Sequence, residues 1–137
     1  MPDEQPPAKP IPEPDEASQP FFDGAREGRL MLMRCERCGT LRFPSRMHCD
    51  SCLSTEVAWV AASGDGTVRT FGIMHQCYHP AWAAELPYNL AVVELAEGPR
   101  LVTNLVGVAN EEIAVGMAVR VDWEAHEDVT LPKFRPV

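Results

Sequence analysis

Two cysteine pairs, Cys35-Glu36-Arg37-Cys38 and Cys49-Asp50-Ser51-Cys52, stand ten residues apart in this 137-residue chain. A Cys-x-x-Cys turn holds two thiolates on neighbouring corners of a tetrahedron, and two such turns supply the four sulfurs that one structural zinc ion takes. With every corner filled there is no vacancy for water or substrate, so the ion is expected to build structure and not to activate a nucleophile. Iron in a rubredoxin-type centre, or two disulfides in an exported protein, would use the same residues. The short spacing around a single hairpin favours zinc, one per chain. Residues 1–20 are acidic and proline-rich and lack the apolar core of a signal peptide, which predicts reduced thiols and a cytoplasmic location.

Other side chains that could do chemistry are fewer and more scattered. Arg34, Arg37, Arg42 and Arg46 flank the knuckles, where their charge favours thiolate over thiol or serves a solvated surface. His75, Cys77 and His79 alternate and would share one face of a straight strand. Cys77 is expected to be a small buried hydrophobe there, with the histidines at a strand end, in preference to a second metal site. His48 beside Cys49 is not needed as a ligand once four thiolates are present. Glu111-Glu112 and Glu127-Asp128 are sequence neighbours that point apart on a strand, and no Ser/His/Asp or phosphate-loop pattern accompanies them. No catalytic residue is therefore expected. Trp82 lies in a loop bounded by Pro80 and Pro87, where an aromatic can anchor a partner or simply pack.

The elements that must position the cysteines follow from pattern. Seven of the thirteen prolines fall in the first twenty residues among acidic side chains, so 1–17 is expected to be a disordered acidic tail. Ser18 as a cap, Pro20 in a first turn, and Phe21, Phe22 and Ala25 on one face predict a short helix ending at Gly28. Residues 29–34 should enter the first knuckle as a strand and 41–44 leave it, with Gly39 in the left-handed turn that closes the knuckle. Val57 to Val60 should carry the chain onward, with Gly64-Asp65-Gly66 as the turn into the next unit.

From Thr67 the chain reads as short strands. Residues 67–78, a hairpin of 89–95 and 101–106 around Glu97-Gly98-Pro99, and 118–123 fit a small closed barrel, with 80–86 and 110–114 as loop or short helix. The fold class is thus mainly β. A helix and rubredoxin-like zinc ribbon occupy residues 18–62 and a small OB-fold barrel residues 63–137. A ribbon of this size cannot bury a sufficient core, and the metal supplies the missing stability.

Charge narrows the partners. The chain has a formal net charge of −8 and a pI near 4.9, and only the ribbon region is basic. Nucleic-acid modules carry a much stronger basic footprint, so a nucleic-acid-binding ribbon and barrel is the lesser alternative. No apolar run is long enough to span a membrane.

Taken together, Arg26-Glu27-Gly28-Arg29-Leu30, the two knuckles, Gly64-x-Gly66-Thr67-Val68, His75-x-x-x-His79-Pro80, Glu97-Gly98-Pro99-Arg100-Leu101 and Leu131-Pro132-x-Phe134-Arg135-Pro136 resemble the zinc-ribbon plus OB-fold proteins associated with acyl-CoA enzymes. The likeness covers about residues 18–137. It implies a non-catalytic subunit that pairs with a thiolase-fold enzyme, such as a thiolase or a steroid side-chain aldolase, in a two-plus-two heterotetramer. The metal role carries over to Cys35, Cys38, Cys49 and Cys52. In that setting Arg37, Arg42 and Arg46 are candidates for the phosphates of an acyl-CoA, and Trp82 for the partner interface. One departure is that Leu53-Ser54 follows the second knuckle where glycine follows the first.

Overall fold

The computed structural model describes residues 7–44 and 46–137. Residues 1–6 of the acidic tail lie outside the described residues. Helix α1 (Gln19–Arg26) starts with Pro20 in its first turn and ends where Gly28 takes a φ of 77°. Ser18 precedes the helix but does not cap it. Its backbone is already α-like, so its hydroxyl turns back and donates to Asp15 Oδ1 at 2.7 Å. Gly24 is required by packing: a Cβ there would collide with the Met31 side chain.

The ribbon is a three-stranded antiparallel sheet of order β2-β1-β3, built from β1 (Met31–Cys35), β2 (Leu41–Arg42) and β3 (Val57–Ala61). Residues 57–60, expected to lead away from the ribbon, instead return along β1 with Met31 opposite Ala61 and Cys35 opposite Val57. Pairing across this sequence distance leaves no local signal. It places the second knuckle beside the first, because both flank β1.

The second sheet contains β4 (Asp65–Met74), β5 (Tyr88–Leu95), β6 (Arg100–Thr103), β7 (Ala118–Ala125) and β8 (Thr130–Pro136) in the order β6-β5-β4-β7-β8. Strand β5 alternates strictly between buried and half-buried residues, as a strand with one face on the core must. A register shift between Val68 and Thr70 bends β4, and Gly66 lets β4 approach β5 where a Cβ would stand 2.6 Å from Val93 Cγ1. The sheet curls until its two edge strands approach. Closure is made by one parallel bridge, Leu105 with Phe134, supported by the Val106 amide donating to the Phe134 carbonyl at 2.8 Å. This strand order with a parallel closing contact is the five-stranded OB arrangement.

Side chains complete the seam where the ladder stops. Asn89 is buried, accepts from the Leu105 amide at 2.6 Å and donates to the Leu105 carbonyl at 3.0 Å. Thr103 Oγ1 donates to the Pro132 carbonyl at 3.0 Å, and Lys133 Nζ to Asn104 Oδ1 at 2.7 Å. The amide of Asn89 thus does for β5 and residue 105 what a further pair of backbone groups would do in a longer strand.

Ribbon and barrel share one core. Phe21, Leu30 and Leu32 belong to the same buried cluster as Val68, Val93, Leu101, Val119 and Phe134. Helix α1 contacts both β1 and β8, and Arg26 donates to the Asp128 carbonyl at 3.2 Å. Short 3₁₀ helices span Pro80–Glu85 and Asn110–Glu112. Among the described residues no helix is long and apolar enough to cross a membrane.

Candidate metal centre

The two knuckles are built alike. In the first, the Gly39 amide donates to the Cys35 carbonyl at 2.9 Å and the Cys35 amide to the Thr40 carbonyl at 2.9 Å. In the second, Leu53 donates to the Cys49 carbonyl at 3.0 Å and Cys49 to the Ser54 carbonyl at 2.9 Å. Closing each turn demands positive φ at the residue after the second cysteine. Gly39 has φ 80° and Leu53 has φ 65°, so the second knuckle adopts the same geometry without glycine. Leu53 is the one non-glycine residue with positive φ among the described residues.

All four Sγ atoms lie within 4.8 Å of one another. Cys35 and Cys52 stand 3.5 Å apart, as do Cys38 and Cys49, and none of the cysteines is disulfide-bonded. With Zn–S bonds of about 2.3 Å, the sulfurs of a tetrahedron sit about 3.8 Å apart, so this donor set has the dimensions and chemistry for one zinc ion. Cys35 and Cys49, the first residue of each knuckle, are buried. The amides of their own turns face their sulfurs: Cys35 is lowered to about 6, chiefly by the Cys38 amide, and Cys49 is lowered chiefly by the Cys52 amide. At Cys52 the Ser54 amide pulls the pKa down, but burial and the crowding of three other thiols push it up to about 11. Metal binding resolves that crowding by placing a dication among the sulfurs.

The arginines around the knuckles divide. Arg34, Arg37 and Arg46 are exposed, and Arg46 pairs with Asp50 at 3.1 Å. Arg42 is only 4% exposed, so of the two readings offered for the arginines a solvated surface does not hold for it. Its Nε and Nη2 donate to the Arg46 carbonyl at 3.1 and 3.0 Å. Arg42 and Arg46 border one cleft, whereas Arg37 is not among its walls. The cleft is completed by Arg100 from the β5–β6 hairpin, which sequence reasoning missed because residues so far apart in the chain meet only through the tertiary fold.

The His75, Cys77, His79 alternation is not a strand face, since β4 stops at Met74. Cys77 is exposed, not buried as expected, and its thiol donates to the His79 carbonyl at 3.3 Å. His79 Nδ1 accepts from the Ala81 amide at 3.0 Å and caps the 3₁₀ helix that carries Trp82. Trp82 is half-buried, edge-on to His79 with ring centroids 5.3 Å apart. Lys9 pairs with Glu85, and its Nζ lies 5.9 Å from the Trp82 ring centroid.

A tetrathiolate ribbon joined through a common core to a five-stranded barrel makes this a zinc-ribbon and OB-fold protein. Residues 22–58 match the family model described as "ChsH2, rubredoxin-like zinc ribbon domain", and residues 59–124 match "ChsH2, C-terminal OB-fold domain". The chain belongs to this family. A "DUF35 domain-containing scaffold protein" of Methanocaldococcus jannaschii is 36% identical over 116 residues, covering 79% of this chain and 82% of that one. A "probable enoyl-CoA hydratase alpha subunit" of Thermomonospora curvata is 47% identical over 117 residues, or 85% of this chain, which spans only 36% of that longer relative. Among solved structures, a chain described as "Ltp2-ChsH2(DUF35) aldolase" superposes with a TM-score of 0.81 at 44% identity, covering 92% of this chain and 98% of that chain.

Proposed function

We propose that this chain is a non-catalytic, zinc-stabilised accessory subunit that docks on a thiolase-fold enzyme in a two-plus-two assembly and supports its binding or turnover of acyl-CoA. Thiolases and acyl-CoA aldolases, including those acting on steroid side chains, are the partner class. The observation that carries this reading is the overlap with a chain of the solved "Ltp2-ChsH2(DUF35) aldolase" across 98% of that chain. A closed tetrathiolate is consistent with it, because zinc held by four sulfurs supplies folding energy and has no coordination position open to a reactant. The chain's own groups then have binding roles. Trp82 presents an aromatic surface beside Lys9, and a partner contacting it would displace that lysine. Of the sequence's candidates for CoA phosphates, Arg37, Arg42 and Arg46, the last two share a cleft and Arg37 stands outside it.

The test is purification from the native host under mild conditions. The expected result is a stable complex with a thiolase-fold acyl-CoA enzyme whose mass corresponds to two copies of each subunit. Trp82→Ala is expected to weaken that assembly at least tenfold while leaving zinc content unchanged. Acyl-CoA turnover by the verified-pure chain alone would overturn the accessory role, and an intact complex in the Trp82 variant would remove that contact.

A further inference from the structure

Between the zinc ribbon and the β5–β6 hairpin lies a cleft of about 440 Å³ whose walls bring together Arg42, Arg46 and Arg100. Neither unit contains it alone: Arg42 and Arg46 come from the segment between the knuckles, and Arg100 opens β6. The volume falls in the range of about 300–1,000 Å³ typical of small-molecule sites.

The charge balance of this cleft is incomplete. Arg42 is buried, and among the described residues no carboxylate lies within ion-pair distance of it. Two of its nitrogens hold the Arg46 carbonyl, and among the described residues Nη1, itself closed off from solvent, has no acceptor. A buried guanidinium without a counter-charge favours an anion close by, which an occupant of the cleft supplies without contacting Nη1. The other two arginines are exposed and paired with carboxylates, Arg46 with Asp50 at 3.1 Å and Arg100 with Glu94 at 2.9 Å. Solvated pairs of this kind are weak, so exchanging a carboxylate for a phosphate of higher charge and matching fork geometry is favourable. Arg42 also fixes the backbone of Arg46 at the rim, so the cationic groups are partly preorganised. Asp50, the partner of Arg46, also lines the cleft, so the three arginines outnumber its one carboxylate, and Phe43 and Pro99 give it an apolar wall that suits the face of a purine.

We infer that this cleft binds a phosphorylated adenine nucleotide, with Arg46 and Arg100 contacting phosphate oxygens, Arg42 supplying charge from beneath, and Phe43 and Pro99 against the base. Resting on the accessory-subunit reading, the ligand is the nucleotide end of a CoA thioester. Arg100 thereby joins the site and Arg37 leaves it.

The test uses the full zinc-loaded chain without a partner. Titration calorimetry at low salt is run with CoA, adenosine 3′,5′-bisphosphate, inorganic phosphate and adenosine. CoA and the bisphosphate are expected to bind alike, at least tenfold more tightly than inorganic phosphate or adenosine. Arg46→Gln combined with Arg100→Gln is expected to weaken CoA binding at least tenfold with zinc content and thermal midpoint unchanged, while Arg37→Gln has no effect. Absence of binding at millimolar CoA, equal binding by the double variant, or inorganic phosphate binding as tightly as the nucleotide would overturn the assignment. So would a single-stranded oligonucleotide that displaces CoA at lower concentration. A chain that assembles with an acyl-CoA enzyme yet binds no nucleotide overturns the cleft and leaves the accessory role standing. One that binds nucleotide but joins no such enzyme does the reverse.

Discussion

Leu53 holds in the second knuckle the position that Gly39 holds in the first, and both backbones are left-handed. For an L-residue that conformation costs roughly 1–2 kcal/mol, and the side chain gains little in return since it is 73% exposed. Leu53→Gly is therefore expected to leave the zinc-loaded protein within about 0.5 kcal/mol of its original stability or to raise it by up to about 1 kcal/mol, the relief of strain being set against the extra freedom of glycine in the unfolded chain. Gly39→Leu should instead lose about 1 kcal/mol or more. Thermal unfolding at saturating zinc measures both, and a clear loss in Leu53→Gly would show that the side chain packs. Asn89 poses the opposite case. Its side chain satisfies the Leu105 amide and carbonyl inside the barrel seam, so Asn89→Ala leaves two buried backbone groups without partners and is expected to lose about 2–4 kcal/mol in urea unfolding. A loss under 1 kcal/mol would mean that water replaces the amide.

At the scale of elements, the ribbon has three strands, one of them only two residues long, and depends on the metal at its edge. Structural zinc contributes on the order of 10–16 kcal/mol in zinc-finger peptides, which is comparable to the whole stability of a domain. Cys49→Ser removes a buried ligand and is expected to release the ion and unfold residues 29–57. Because Leu30 and Leu32 share a core with Val68 and Val93, the loss should extend into β4 and β5 and appear as lowered amide-exchange protection there. Elemental analysis of the purified protein should give one zinc per chain. Iron in its place, or a folded ribbon without metal, would refute the assignment.

For the whole molecule, the distribution of charge sets what it can approach. A net charge of −8 opposes association with a polyanion, and the basic side chains of the barrel are largely taken by local pairs such as Arg120 with Asp65 and Arg135 with Asp122. Non-specific nucleic-acid binding is driven by release of counterions from phosphates contacted by lysine and arginine. Mobility-shift assays with single-stranded DNA and RNA at low salt are therefore expected to show no complex at micromolar protein. Micromolar binding that weakens steeply with added salt would favour a nucleic-acid module over a partner of an acyl-CoA enzyme. A single small phosphate cleft is compatible with this expectation, since it needs two or three well-placed cations and no extended basic track.

The metal site was legible because its chemistry is local. Two Cys-x-x-Cys turns carry their geometry in four consecutive residues each, and four thiolates supply every corner of a tetrahedral site that suits zinc. Helix α1, the β5–β6 hairpin and the alternation in β7 were legible for the same reason, as periodicity and turn residues act over a few positions. The return of residues 57–61 along β1 was not, nor was the parallel contact of Leu105 with Phe134 that closes the barrel. Both are pairings between distant segments whose partners compete only on packing and hydrogen-bond satisfaction. The end of β4 at Met74 decided the fate of Cys77, because alternation predicts burial only while a strand continues. Arg42 shows the division most plainly. By composition it is one arginine among several in a basic stretch, and only the tertiary fold buries it, leaves Nη1 without an acceptor among the described residues and brings Arg100 to the same cleft.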